Sequence, residues 1–146
     1  MTTTAGTTTV TPITGTVTTG RSSLGKLAIA GVAATAAASV ATMAVAAGGK
    51  AAGISLDVSG APIPVSGFGV LTSLFSLVGL VLAAVLSRTV RHPRRVFVRT
   101  TVVLTALSLV PDVIADAAPA TKALLMLTHL VAAAIVIPGV ARRLSA

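Results

Sequence analysis

"RTVRHPRRVFVRT", residues 88–100, places Arg88, Arg91, Arg94, Arg95 and Arg99 together with His92 in thirteen positions flanked on both sides by apolar runs. In a soluble protein such a cluster suggests a grip on nucleic acid, which needs cations spread over a face presented to phosphates. The neighbours decide otherwise. "FGVLTSLFSLVGLVLAAVL" (68–86) precedes the cluster, and it is long enough, at about 1.5 Å per residue, to cross a hydrocarbon layer of about 30 Å. After it, the uncharged stretch "TTVVLTALSLVP" (100–111) gives only about 18 Å of helix. Pro93 resolves the shortfall. Its fixed backbone angle suits the first position of a helix, where its missing N–H would be unpaired anyway. A helix over 93–115 then spans, provided Arg94, Arg95 and Arg99 extend their side chains back to the headgroups. The arginines are expected to be an interfacial anchor, with no nucleic acid as partner.

Composition supports this reading over the whole chain. Hydrophobic residues make up 54% and charged residues 10% of the 146 positions, and the mean hydropathy is +0.99. A globular domain has about 25% charged residues because it must present a wettable surface. A net charge of +8 is gathered in clumps between apolar runs. The absence of cysteine excludes disulfides, thiolate metal sites and cysteine nucleophiles.

Two more spans complete the pattern. "LAIAGVAATAAASVATMAVAAGG" (27–49) is uncharged and longer than the apolar core of about 7 to 15 residues of a secretory signal, which is the competing reading for a stretch that follows Arg21 and Lys26. Gly31, Thr35 and Ser39 recur every fourth residue in it, a small-residue stripe that lets helix backbones approach. Gly79 and Ala83 form a similar contact spot in the second span. "ALLMLTHLVAAAIVIPGV" (123–140) is the last span, followed by Arg142 and Arg143. The expected architecture is an all-α membrane protein: a four-helix transmembrane bundle with spans at about 27–48, 67–86, 93–115 and 122–140. Ile54, Leu56 and Val58 alternate with polar residues before Gly60-Ala61-Pro62, which predicts a short hairpin-like loop between the first two spans. Residues 1–23, rich in threonine, are expected to be a disordered tail, with a docked threonine-rich strand as the alternative.

Orientation follows from the cations. Arg21, Lys26, the five connector arginines, Arg142 and Arg143 fall on one side of four spans; Lys50 and Lys122 fall on the other with Asp57, Asp112 and Asp116. Cytoplasmic flanks carry the excess of Lys and Arg. Both termini are therefore expected in the cytoplasm and the hairpin outside. The lipid bilayer and its anionic headgroups are the expected partners, with a membrane-protein partner or a second copy also open.

Signals of catalysis are sparse: two histidines, three aspartates and no glutamate give no metal-ligand spacing, nucleophile elbow or phosphate loop, and no cofactor is expected. Ser108, His129 and Asp112 could be written as a triad, but a helix interior is a poor place to expose a serine. Ionisable groups inside spans are costly and tend to be functional. Asp112 and Asp116, one turn apart on a helix to Ala115, and His129 therefore form a candidate outer polar cluster, with Asp112 and His129 in water-mediated contact. The alternative is an aspartate among headgroups and a histidine bonded to a nearby carbonyl or Thr128. Two functions stay open: a non-catalytic packing or accessory protein, or a small proton- or cation-handling transporter or channel subunit using Asp112 and His129.

"GISLDV" (53–58), "HPRRVFVRTTVVLTALSLVPD" (92–112) and "LMLTHLVAAAIVIPGVARRL" (125–144) resemble a family of small four-helix integral membrane proteins of unknown function from high-GC Gram-positive bacteria. The resemblance runs from about Gly53 to Leu144. It implies a four-helix bundle in a plasma membrane and carries over no catalytic or binding residue.

Overall fold

In the computed structural model the described residues are 19–145, with side chains from Leu24; most of the expected tail lies outside them. Four helices account for nearly all of this stretch: α1 Thr19–Ala51, α2 Val65–Thr89, α3 Pro93–Ile114 and α4 Pro119–Ala141. Each is long and apolar enough to cross a membrane. α1 starts inside the stretch read as tail. The other boundaries differ from expectation by a few residues.

Two helices begin on proline. Pro93 follows His92, and Pro119 follows Ala118. The last span was expected from about 122, three residues later, but the same logic applies to both: the ring presets the helical φ and removes an N–H that has no partner there. At its C-terminus α1 stops where Gly53 adopts a positive φ of 81° and the Ile54 N–H reaches back to the Gly49 carbonyl at 3.0 Å. This glycine stop satisfies carbonyls that the helix leaves open.

The hairpin is present and small. Strands β1 (Asp57–Val58) and β2 (Ala61–Pro62) pair antiparallel, Asp57 opposite Pro62 and Val58 opposite Ala61. Ser59 and Gly60 both take positive φ, 53° and 77°, as a two-residue turn between twisted strands requires. Leu56 anchors it in a cluster with Ala46, Phe68 and Leu124. Two further bonds tie it across the bundle end: Ser59 N–H to the Asp116 carbonyl at 2.8 Å, and the Thr121 hydroxyl to the Ser55 carbonyl at 2.6 Å.

α1 is the helix on which α2 and α4 assemble. It packs along α2 on one side and α4 on the other, α3 packs on α4, and the α2–α3 seam is looser than these. The small-residue stripe explains the close approach. Gly31 lies under Leu80, Gly69 under Met43, Gly49 under Leu124, and Gly139 against the Cβ of Ala34. Hydroxyl pairs stitch the α1–α2 contact, Ser39 to Ser73 at 2.9 Å and Thr42 to Thr72 at 3.0 Å. Such interhelical bonds are a substitute for the hydrophobic drive that is missing between helices in lipid.

At the end opposite the hairpin, Leu27, Ala83, Phe97, Val140, Ala141 and Leu144 form the larger apolar cluster, and the Arg94 N–H bonds the Ser145 carbonyl at 3.2 Å. Large apolar side chains such as Val40, Leu74, Phe75, Val103, Leu107 and Leu130 face outward. Only 11% of the most apolar stretch of α3 is buried within the protein. Large apolar side chains left facing outward in such number need an apolar surrounding beyond their own chain.

Candidate functional site

The loose seam opens into a cleft between α2 and α3, floored by α4, with a volume of about 310 Å³. Side-chain size accounts for it. At the arginine end Phe97 fills the seam completely. Toward the hairpin, α3 presents Thr101, Thr105 and Ser108, while α2 presents Gly79 and α4 presents Ala132 and Ala133. Gly79 was expected to be a helix contact with Ala83. Ala83 is fully buried in the inner cluster, whereas a side chain at Gly79 would meet nothing within 4 Å. One turn toward the hairpin from Ala83, α2 and α3 have already separated.

His129 enters the cleft wall from α4, and its side chain is 37% exposed. Asp112, on α3, is 8% exposed. Their Nδ1 and Oδ2 atoms lie 2.9 Å apart, a direct contact where a water-mediated one was expected. The imidazole hydrogen is directed elsewhere. Nδ1–H donates to the Leu125 carbonyl at 3.1 Å, one turn back on α4, and Oδ2 is left buried without an aligned donor. A carbonyl and a carboxylate both accept, so Nδ1 carries a hydrogen in either protonation state, and Nε2 is an acceptor only in the neutral ring. When the ring is protonated, the pair becomes an ion pair.

Asp116 does not join them. The cluster reading needed α3 to continue through Ala115, but the helix ends at Ile114 and Ala115 turns extended, with ψ of 146°. Asp116 is thereby carried off the Asp112 face to an exposed position, where its backbone carbonyl serves the hairpin. Nearby, Lys122 Nζ donates to the Val113 carbonyl at 3.0 Å, a cation on the open carbonyls of a helix C-terminus. Among the described residues no group of three or more His and Asp side chains could hold a metal.

The wall hydroxyls of α3 and α4 are spent locally. Thr101 donates to Phe97, Thr105 to Thr101, Ser108 to Thr105 and Thr128 to Leu125, all backbone carbonyls of their own helices. Ser108 therefore shares the cleft with His129 without offering its hydrogen to it.

Arg88 is in the last turn of α2; Arg94, Arg95 and Arg99 line the first two turns of α3. With Arg91, Arg142 and Arg143 they are exposed at one end of the bundle. Sequence reasoning found these residues and the Asp112–His129 proximity, but it missed the cleft. Its signal was present as small residues at Gly79, Ala132 and Ala133 facing a hydroxyl row on α3.

No curated protein and no solved structure matches this sequence. Residues 22–146, from the first turn of α1 onward and including the hairpin and the other three helices, match a family of unknown function, DUF6069, so the cleft and its polar pair sit wholly inside the matched region and the chain belongs to that family.

Proposed function

We propose that this protein is a multi-pass integral protein of the bacterial plasma membrane, with both termini cytoplasmic and the hairpin outside, and that it works without catalysis, by packing and binding within the bilayer. The observation that carries this reading is how the polar groups are used. Ser39, Ser73, Thr42 and Thr72 join helices, Ser108 caps its own backbone, and the outward faces are apolar. Nine cations against two divide between the ends, the bias that sets orientation through short loops. The exposed arginines then meet anionic headgroups, each attracted by about 1 kcal/mol.

The Asp112–His129 contact favours a second reading, proton or cation handling. Asp112 is 18 residues beyond Arg94 on α3, about 27 Å along the axis, so the pair lies in the outer part of a hydrocarbon layer about 30 Å thick. Ion flux in proteoliposomes of the purified protein separates the two. The non-catalytic reading predicts no flux above empty vesicles. Flux that disappears in Asp112→Asn would replace it with the transport reading.

A further inference from the structure

The cleft between α2 and α3 is built like a ligand site: largely apolar, opening sideways where the bundle faces outward, with a few polar groups on its wall. From Phe68 to Leu82 on α2 it runs about 21 Å, most of the thickness of a hydrocarbon layer. Charge complementarity restricts what it can hold. None of the residues lining it is Asp, Glu, Lys or Arg, so a charged head would be desolvated there without a partner.

His129 supplies the polar contact. Its Nδ1 is committed to the Leu125 carbonyl beside Asp112, and Nε2 has no protein partner among the described residues. With Nδ1 carrying the hydrogen, Nε2 of the neutral ring accepts. Of the other hydroxyls on the wall, those of Thr101, Thr105, Ser108 and Thr128 are turned back onto their own helices and that of Thr72 is paired with Thr42; Ser76 of α2 lines the cleft as well, so His129 is the one ring nitrogen on the wall that can recognise a donor. From His129 the floor continues inward through Ala133 to Ile137, two turns or about 12 Å of apolar wall.

We infer that the α2–α3 cleft binds a neutral, lipid-soluble molecule with a hydroxyl head and an apolar tail, the hydroxyl donating to Nε2 of His129 and the tail lying past Gly79 and Ala133 toward Ile137. Asp112 acts as a positioning residue, its carboxylate against Nδ1 favouring the tautomer that leaves Nε2 free to accept. The inference rests on the membrane reading above, which supplies the route by which such a molecule arrives.

The chain contains two histidines, His92 and His129, so the test can be read at the atom itself. ¹⁵N-histidine-labelled protein in nanodiscs is titrated with 4-dodecylphenol, and in parallel with its methyl ether, which has the same tail and no donor. The Nε2 resonance of His129 should shift with the phenol and not with the ether, with His92 unmoved by either. The phenol should bind about 3- to 10-fold tighter, the range one net hydrogen bond supplies. Gly79→Leu, which fills open space, should abolish binding of both, and His129→Phe should keep the tail but bind phenol and ether equally. In Asp112→Asn the phenol preference should shrink while ether binding persists. Equal binding of phenol and ether to the unaltered protein, or a phenol-induced shift unaffected by Gly79→Leu, would overturn the inference. Displacement of the probe by phosphatidylglycerol, lost on replacing Arg94 and Arg95, would also overturn it by assigning the cleft to an anionic lipid chain. Each variant is first checked for nanodisc insertion, so a protein that never inserts counts against the membrane reading and not against the cleft.

Discussion

Adding one methyl group at two glycines distinguishes the tight side of this bundle from its open side. At Gly139 a Cβ would lie 2.9 Å from the Cβ of Ala34. Carbon atoms rest at about 3.5 to 4.0 Å, so α1 and α4 would have to part by about 0.6 to 1.1 Å. Neither atom can rotate away, since each is fixed to its backbone. Overpacking of this kind costs about 1 to 3 kcal/mol, against a gain of at most about 1 kcal/mol from alanine's better helix propensity. At Gly79 the same substitution meets nothing and keeps the gain. Gly139→Ala should therefore be about 1 to 3 kcal/mol less stable than Gly79→Ala, with Gly31→Ala between them because the Leu80 methyls it meets can swing aside. The protein has no tryptophan, tyrosine or cysteine, so unfolding in detergent can be followed with one fluorophore on an introduced cysteine. Equal stability of the Gly139 and Gly79 variants would refute the close α1–α4 approach.

Asp112→Asn and His129→Ala should each destabilise the protein in the same assay, because an isolated polar group remains inside the span. The double variant should lose less than the sum by about 0.5 to 1.5 kcal/mol, as contacting groups do; strict additivity would dissolve the pair. Neutralising Arg94, Arg95 and Arg99 together should yield molecules of mixed orientation in a glycosylation- or protease-mapping assay, because these residues hold the start of a helix short of apolar length. Unchanged orientation would count against the anchor role.

The helices were legible because the length of an apolar run and the position of a proline are local properties. Pro93 announced α3 even through three arginines. Pro119 carries the same information, yet the span was expected only from about 122, since proline at a first helical position and proline in a loop look alike until the following residues are seen to be helical. The stripe Gly31, Thr35, Ser39 identified a face of α1 but not which helix it met; Leu80 and Ser73 answer that only in three dimensions. Asp116 was misplaced for a simpler reason. One residue of helix, at Ala115, decides whether positions 112 and 116 share a face, and helix ends are the least determined feature of a sequence. The cleft was hidden because it is a mismatch between helices: small residues on α2 and α4 are ordinary alone and leave a void only when α3 brings threonines and a serine opposite them.

The central claim is four crossings with the hairpin outside and the arginine end in the cytoplasm, and the lack of native cysteine allows a direct test free of background. Ala61, on the exposed hairpin, and Thr89, exposed at the end of α2, are replaced singly by cysteine and treated in whole cells with a membrane-impermeant maleimide. Ala61→Cys should react in intact cells, and Thr89→Cys only after the membrane is permeabilised. Equal labelling of both positions in intact cells, or the reverse pattern, would contradict the account.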